Sequence, residues 1–204
     1  MLLFAVAIAG SGIRVARSGH AFLQTHDLLP ALEVLAGLGG MAFLGLQIIL
    51  FVVRRLPERG LPGPGPFLVA MAGAIAPLFV TATPRADPTP ALLLASALLT
   101  TLGSAASVVV LAHLGRSFSV SPQARGLVTR GPYALVRHPL YLAELVSMLG
   151  LMLQYAQPWA GAAIAAAFVL QLVRMGFEET VLRAAYPAYE AYARRTARLI
   201  PGVW

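Results

Sequence analysis

Residues 28–55 read LLPALEVLAGLGGMAFLGLQIILFVVRR. Between Asp27 and the Arg54-Arg55 pair the sole charge is Glu33. Roughly 20 apolar residues of helix cross the hydrocarbon core of a bilayer. The run from Leu28 to Val53 is therefore predicted to be a membrane helix, closed by two arginines at the membrane surface. The rest of the chain repeats this pattern. Its 204 residues are 58% hydrophobic and only 11% charged, with a mean hydropathy of +0.77. A soluble domain carries about 25% charged residues. The expected fold is an all-α integral membrane protein, built as a single membrane domain.

Working outward, Pro57 to Pro66 is a proline- and glycine-rich loop. Phe67 to Thr83 is a second apolar segment, with Pro77 inside it as a predicted kink. A short turn at Pro84-Arg85-Ala86-Asp87-Pro88 leads to a third, Ala91 to Ala112, which has no charge. A polar region from His113 to His138 follows. Leu140 to Tyr155 and Trp159 to Gly176 are the fourth and fifth segments, broken at Gln157-Pro158 and read as a tight hairpin. Phe177 to Trp204 is polar and helix-prone until Pro201. About five transmembrane helices result. Residues 1–112 supply N-terminal membrane helices and 113–204 a core ending in a C-terminal cytoplasmic segment. Residues 1–27, with Arg14 and Arg17, read as an interfacial or loosely packed lead-in.

Five crossings put the arginine-rich regions after segments one, three and five on one side, which the positive-inside bias makes cytoplasmic. The N-terminus then falls outside. The expected location is a bacterial inner membrane. The net charge is +7 and every basic residue is Arg. Because these arginines lie in short loops between apolar runs, the excess points to a membrane surface and not to nucleic acid. There is no cysteine, which excludes disulfides and thiolate metal sites. The four histidines have no metal-ligand spacing, so no metal is expected.

Two polar groups share the cytoplasmic side. One is Arg125-Gly126-Leu127-Val128, followed by Gly131-Pro132-Tyr133 and Arg137-His138-Pro139-Leu140-Tyr141. Pro139 suits the first turn of a helix, whose unpaired N–H groups and positive dipole end form a natural anion site. The other is Arg174 with Glu178-Glu179, then Tyr186-Pro187-Ala188-Tyr189 and Arg198-Leu199-Ile200-Pro201. Arg174 and Glu178 lie four apart, on one helix face. Singly, each has a structural reading: flanking charges, a stabilising pair, interfacial tyrosines. Glu144 could simply pair with a nearby arginine.

In combination, the loop LVxxGPYxxVRHPxY, an apolar hairpin, RxxxEE and the terminal RLIP resemble the isoprenylcysteine carboxyl methyltransferase family, which is related to membrane phospholipid N-methyltransferases. The resemblance covers roughly His113 to Pro201. It implies a helical core enclosing S-adenosylmethionine. Carried over by position, Arg125, Gly126, Leu127, Val128, Tyr133, His138, Pro139, Leu140, Tyr141 and Glu178 would hold the cofactor. Arg174 would face the substrate, and Arg174, Glu178 and Glu179 would be the catalytic set. Ala143 stands where members often have Gly, and Phe118 where some have a polar contact.

The implied function is methyl transfer to a carboxylate or amine of a lipophilic small molecule or lipid at the cytoplasmic membrane face. A carboxylate needs no base, whereas an amine would call on Glu179 or His138. The alternatives are an NADPH-dependent reductase of the sterol-reductase type and a non-enzymatic membrane subunit. A transporter would place ionisable groups near the midplane, where these helices carry almost none.

Overall fold

The computed structural model describes residues 2–61, 63–81, 83–84, 86–155 and 157–202, with side chains from residue 8 onward apart from 76–79 and 81. Arg85, Trp204 and the Pro77 side chain, all singled out above, lie outside the described residues.

Seven helices follow in order among the described residues: α1 (Leu2–Thr25), α2 (Leu28–Val53), α3 (Pro64–Thr81), α4 (Pro90–Leu114), α5 (Pro139–Met152), α6 (Trp159–Ala185) and the short α7 (Tyr189–Arg195). Among the described residues three helices are long and apolar enough to cross a membrane: Leu28–Val53, Pro90–Ser117 and Trp159–Ala185. Pro64–Ile75 and Pro139–Met152 are shorter apolar helices, so the expected count of five spans is not reached by length and composition.

Small residues set the helix directions. Gly39 of α2 lies against Ser104 of α4, and Thr101 Oγ1 donates to Leu32 O at 3.2 Å, so these two helices run parallel. A Cβ on Gly103 would sit 2.8 Å from Ala143 O, and one on Gly150 would sit 2.8 Å from Ser96 O. Helices α4 and α5 therefore approach backbone to backbone, in opposite directions. Helix α3 crosses α6 in the reverse sense, with Gly73 beside Arg174 and Val80 packed with Ile164 and Ala160. Helices α2, α4 and α6 thus share one direction, opposed by α3 and α5. The chief partners of α5 and α6 are α4 and α3, more than each other as a sequence hairpin would suggest.

Residues 2–25 correct the reading of a loose lead-in. They form one helix packed on α2, with Val15 against Gly37 and Ser18 Oγ donating to Glu33 Oε2 at 2.6 Å. Arg14 is accommodated by donating to Ser11 Oγ one turn back, at 2.9 Å. Because α1 runs antiparallel to α2, its start lies at the arginine-rich end of the bundle. The N-terminus is therefore not placed opposite that end, as parity from five helices required.

That end is laced together by backbone. Strand β1 (Arg59–Gly60) pairs antiparallel with β2 (Gln123–Ala124). Arg55 N–H donates to Arg116 O at 2.9 Å and Glu58 N–H to Ala124 O at 2.8 Å. Arg59 Nη1 donates to Ala184 O at 2.6 Å. The loop between α2 and α3 is thereby fixed to the polar stretch after α4 and to the end of α6.

Candidate functional site

The site forms where α5 begins. Pro139 occupies the first turn and no side chain caps the helix, so its leading N–H groups have no intrahelical partner. The chain enters this point as an extended segment that pairs with the C-terminal tail. Val136 forms a parallel bridge with Ala197. Arg137 N–H donates to Ala197 O at 2.8 Å and His138 N–H to Arg198 O at 3.1 Å. The carbonyls of Ala197 and of Arg198, the first residue of the terminal RLIP motif, thereby hold the Arg137-His138 pair against α6.

The two adjacent carboxylates take different roles. Glu179 is buried, at 4% exposure. Its Oε1 accepts from Arg137 Nη1 at 3.0 Å, His138 Nε2 at 3.1 Å and Arg198 Nε at 3.1 Å. Its Oε2 accepts from Arg183 Nη2 at 3.3 Å. A buried carboxylate is stable only when so paired, and here it ties α6 to the α5 entry and the tail. Glu178 is more open and faces a cleft. It accepts a hydrogen bond from the Tyr141 hydroxyl and lies 3.7 Å from Arg174 Nε. The Arg174 guanidinium stands 5.0 Å from the centre of the Tyr141 ring, and its Nη2 donates to Val120 O at 3.0 Å. His138 stacks on Tyr141 with ring centres 5.5 Å apart.

Of the residues expected from the sequence, Gly126, Leu127, Val128, Tyr133, His138, Leu140, Tyr141, Arg174 and Glu178 line this single cleft. Three do not. Pro139 lies behind the lining, within the helix start. Glu179 is consumed by the ionic cluster. Arg125 turns away, donating to Arg55 O and, at 2.5 Å, to Gln123 Oε1. Burial, and then neighbouring Arg54, lower the Arg125 pKa from its usual value; the group remains cationic. Its place beside the cleft is held by Gly126, whose φ of +140° and lack of a side chain fit the space 2.6 Å from Ser117 Oγ.

Sequence reasoning missed Ser117, Ser119, Ser121 and Gln123 from the stretch after α4, and Tyr189 and Tyr192 from α7, all of which line the cleft. The polar run before Gln123 was visible, but nothing in its spacing ties it to the RHP motif. Phe118 lines the cleft yet packs in an apolar cluster with Leu50 and Leu111. Tyr192 closes the site by donating to Tyr133 O at 2.7 Å. Burial raises the pKa of Tyr133 well above the ordinary value, and it pushes Tyr189 and Tyr192 each to about 12. All three hydroxyls therefore stay protonated at neutral pH.

The cleft is built from residues of the stretch 114–192 in a helical, membrane-type bundle, and the comparison with known families falls on much of the same stretch. Residues 91–189 match the phospholipid methyltransferase family, the family of the isoprenylcysteine carboxyl methyltransferase-like membrane methyltransferases. The chain is 37% identical over 111 residues to the cobalt-zinc-cadmium resistance protein CzcN of Cupriavidus metallidurans, covering 52% of this chain and 50% of that one. It is 37% identical over 78 residues to the nickel-cobalt-cadmium resistance protein NccN of Alcaligenes xylosoxydans xylosoxydans, covering 37% of this chain and 36% of that one. The chain thus spans half or less of the length of these curated relatives. Among the described residues no group of three or more His, Asp or Glu is placed to hold a metal ion.

Proposed function

We propose that the chain is an S-adenosylmethionine-dependent methyltransferase that modifies a lipophilic acceptor at the cytoplasmic face of the membrane. The observation that carries this reading is the donor set of the cleft. An uncapped helix start, an accessible carboxylate and aromatic rings meet within one lining. The cofactor offers the complementary groups: a carboxylate, an amine, a cationic sulfur and an adenine. The N–H groups at Leu140 and Tyr141 and the His138 ring suit the carboxylate. Glu178 suits the amine, and Tyr133 and Tyr141 suit the cation and the base. Leu127 and Val128 give an apolar wall.

When bound, the cofactor supplies an electrophilic methyl on sulfur, attacked in line by the acceptor. The protein's task is then alignment and exclusion of water, which can supply much of the rate. Tyr141 is held for this task from three sides: its hydroxyl by Glu178, its ring by His138 and by Arg174. Arg174 orients an acidic or phosphate-bearing acceptor by a forked hydrogen bond. The proposed arginine-rich face is cytoplasmic, with the acyl part of the acceptor lying among the helices.

The test is transfer of labelled methyl from S-adenosylmethionine into the organic-soluble fraction of membranes containing the protein. Wild-type protein transfers label. Arg174→Ala abolishes transfer and still binds S-adenosylhomocysteine. Equal loss of transfer and of binding would contradict the assignment of Arg174 to the acceptor.

A further inference from the structure

The arginines of the arginine-rich end fall into two groups with opposite surroundings. The ion pairs of the described residues all lie between positions 137 and 198, where arginines and His138 meet Glu178, Glu179 and Glu190. The shared end of α2 and α4 is different. Arg54, Arg55, Arg116 and Arg125 converge there, and among the described residues none of them has a carboxylate within ion-pair distance.

The backbone enforces this convergence. Arg55 N–H donates to Arg116 O at 2.9 Å, Arg116 Nε donates to Val53 O at 2.9 Å, and Arg125 donates to Arg55 O. These carbonyls are the groups with which a helix end offsets nearby positive charge, and each already has its donor. Arg125 is buried, and its pKa is lowered by burial and then by Arg54, as two cations held close require. An anion between the outer guanidinium groups would relieve that repulsion.

The outer members are placed for one. Arg55 and Arg116 are exposed, and the Arg55 guanidinium makes no hydrogen bond among the described residues. Arg54 rests on the Phe51 ring, its Cζ 3.7 Å from the ring centre. Next to them α2 presents Phe51, Val52 and Val53 outward, at 41%, 71% and 43% exposure. Positive charge directly above an apolar, bilayer-facing surface matches a molecule with an anionic head and apolar tails. A soluble acidic partner would leave the apolar part of this surface unused. None of Arg54, Arg55 and Arg116 lines the cleft, so the surface is separate from the acceptor position given to Arg174.

We propose that Arg54, Arg55 and Arg116 form a headgroup site for an anionic phospholipid of the adjoining leaflet, with its acyl chains along the Phe51-to-Val53 face of α2. Guanidinium groups fork onto phosphate oxygens, and they stand at the level where a phosphate lies. The bound lipid braces the corner behind the cleft. Arg55 O anchors Arg125, and a Cβ on Gly126 would lie 3.1 Å from Arg55 Nη1. The site does not depend on the function proposed above.

Dioctanoyl-phosphatidylglycerol, dioctanoyl-phosphatidylcholine and inorganic phosphate are titrated by calorimetry against the full chain in detergent, with protein-free micelles as the blank. Wild-type protein is expected to bind the phosphatidylglycerol saturably, in preference to the other two, and less tightly as salt rises. Arg55→Gln and Arg116→Gln each weaken it about fivefold, the scale for one basic residue beside an anionic lipid surface. Arg55→Gln serves alone if loss of the Arg116 bond to Val53 O unfolds the second variant. Arg194→Gln and Arg195→Gln, which remove exposed charge from α7, leave the affinity unchanged. Equal loss in these α7 variants would show a diffuse field in place of a site and overturn the proposal. Phosphatidylcholine or inorganic phosphate bound as tightly as phosphatidylglycerol, unchanged affinity in Arg55→Gln, or no saturable binding would overturn it as well.

Discussion

Glu178 and Glu179 are chain neighbours with separate duties, and single substitutions separate them. Glu179→Gln leaves three guanidinium groups and a histidine around a neutral amide. Breaking a buried pair in this way costs about 3–5 kcal/mol, so thermal unfolding in detergent should shift sharply downward. Arg183→Ala, on the side chain of the cluster that is 47% exposed, should shift it little. Glu178→Gln should keep the fold and lose cofactor affinity. The sequence displayed both carboxylates but could not say which faced the cleft. That depends on Arg137 and Arg198, which come from distant segments held together by the bridge between Val136 and Ala197. Arg125 stands outside the cleft lining for a similar reason: it donates to a carbonyl seventy residues away, at Arg55.

Tyr192 carries a second prediction at this scale. Its folded-state pKa is raised, by burial first, from the ordinary value of 10.0 to about 12. The sign follows from the neutral form being the one the fold prefers. The stability it contributes is fully present below about pH 10 and is lost as pH rises through about 12. Tyr192→Phe, which leaves Tyr133 O without its donor, should cost about 1–3 kcal/mol at neutral pH. Its unfolding should also fall less steeply between pH 10 and 12 than that of wild type. An unchanged alkaline slope would show that Tyr192 does not carry the effect.

Among the elements, the contact of α4 with α5 positions the site most directly, because α5 carries His138 to Tyr141 at its start. Gly103→Ala drives a methyl to 2.8 Å from Ala143 O, and overpacking of this kind costs about 1–3 kcal/mol. Gly40→Ala on α2, where a Cβ meets nothing within 4 Å, should be neutral or mildly stabilising. Thermal unfolding of the two variants compares a glycine required by contact with one that is not. The apolar segments were legible from hydropathy, and their observed ends lie close to the predicted ones at α3, α4 and α5. The end of α6 was not, because the helix continues through polar residues to Ala185 on the strength of Arg174, Glu178 and Glu179 pairing. Helix partners were not legible either. A glycine in an apolar helix reads the same whether it faces lipid, as an open position does, or the backbone of a neighbour, as Gly103 does.

For the whole molecule, the alternating helix directions gather Arg59, Gln123, His138 and Ala184 at one end, and the α3–α4 and α5–α6 connections at the other. The absence of native cysteine makes this directly measurable. Single cysteines at Arg59 and Arg194 should label with a membrane-impermeant thiol reagent from the same face, and one at Asp87 from the opposite face. Labelling of all three from one face would contradict the bundle as a membrane-crossing unit. The site unites the family-matched residues 91–189 with Arg55 and Glu58 from before them and the tail after them. A fragment limited to the matched region should therefore not bind cofactor.

The central claim is that the cleft at the start of α5 holds a sulfonium methyl donor's binding groups. Calorimetric titration of S-adenosylhomocysteine and of NADPH into purified protein, with Glu178→Gln alongside, tests it most directly. The account predicts saturable binding of S-adenosylhomocysteine that Glu178→Gln weakens, and no binding of NADPH. Binding of NADPH alone, or of neither ligand to folded protein, would contradict it.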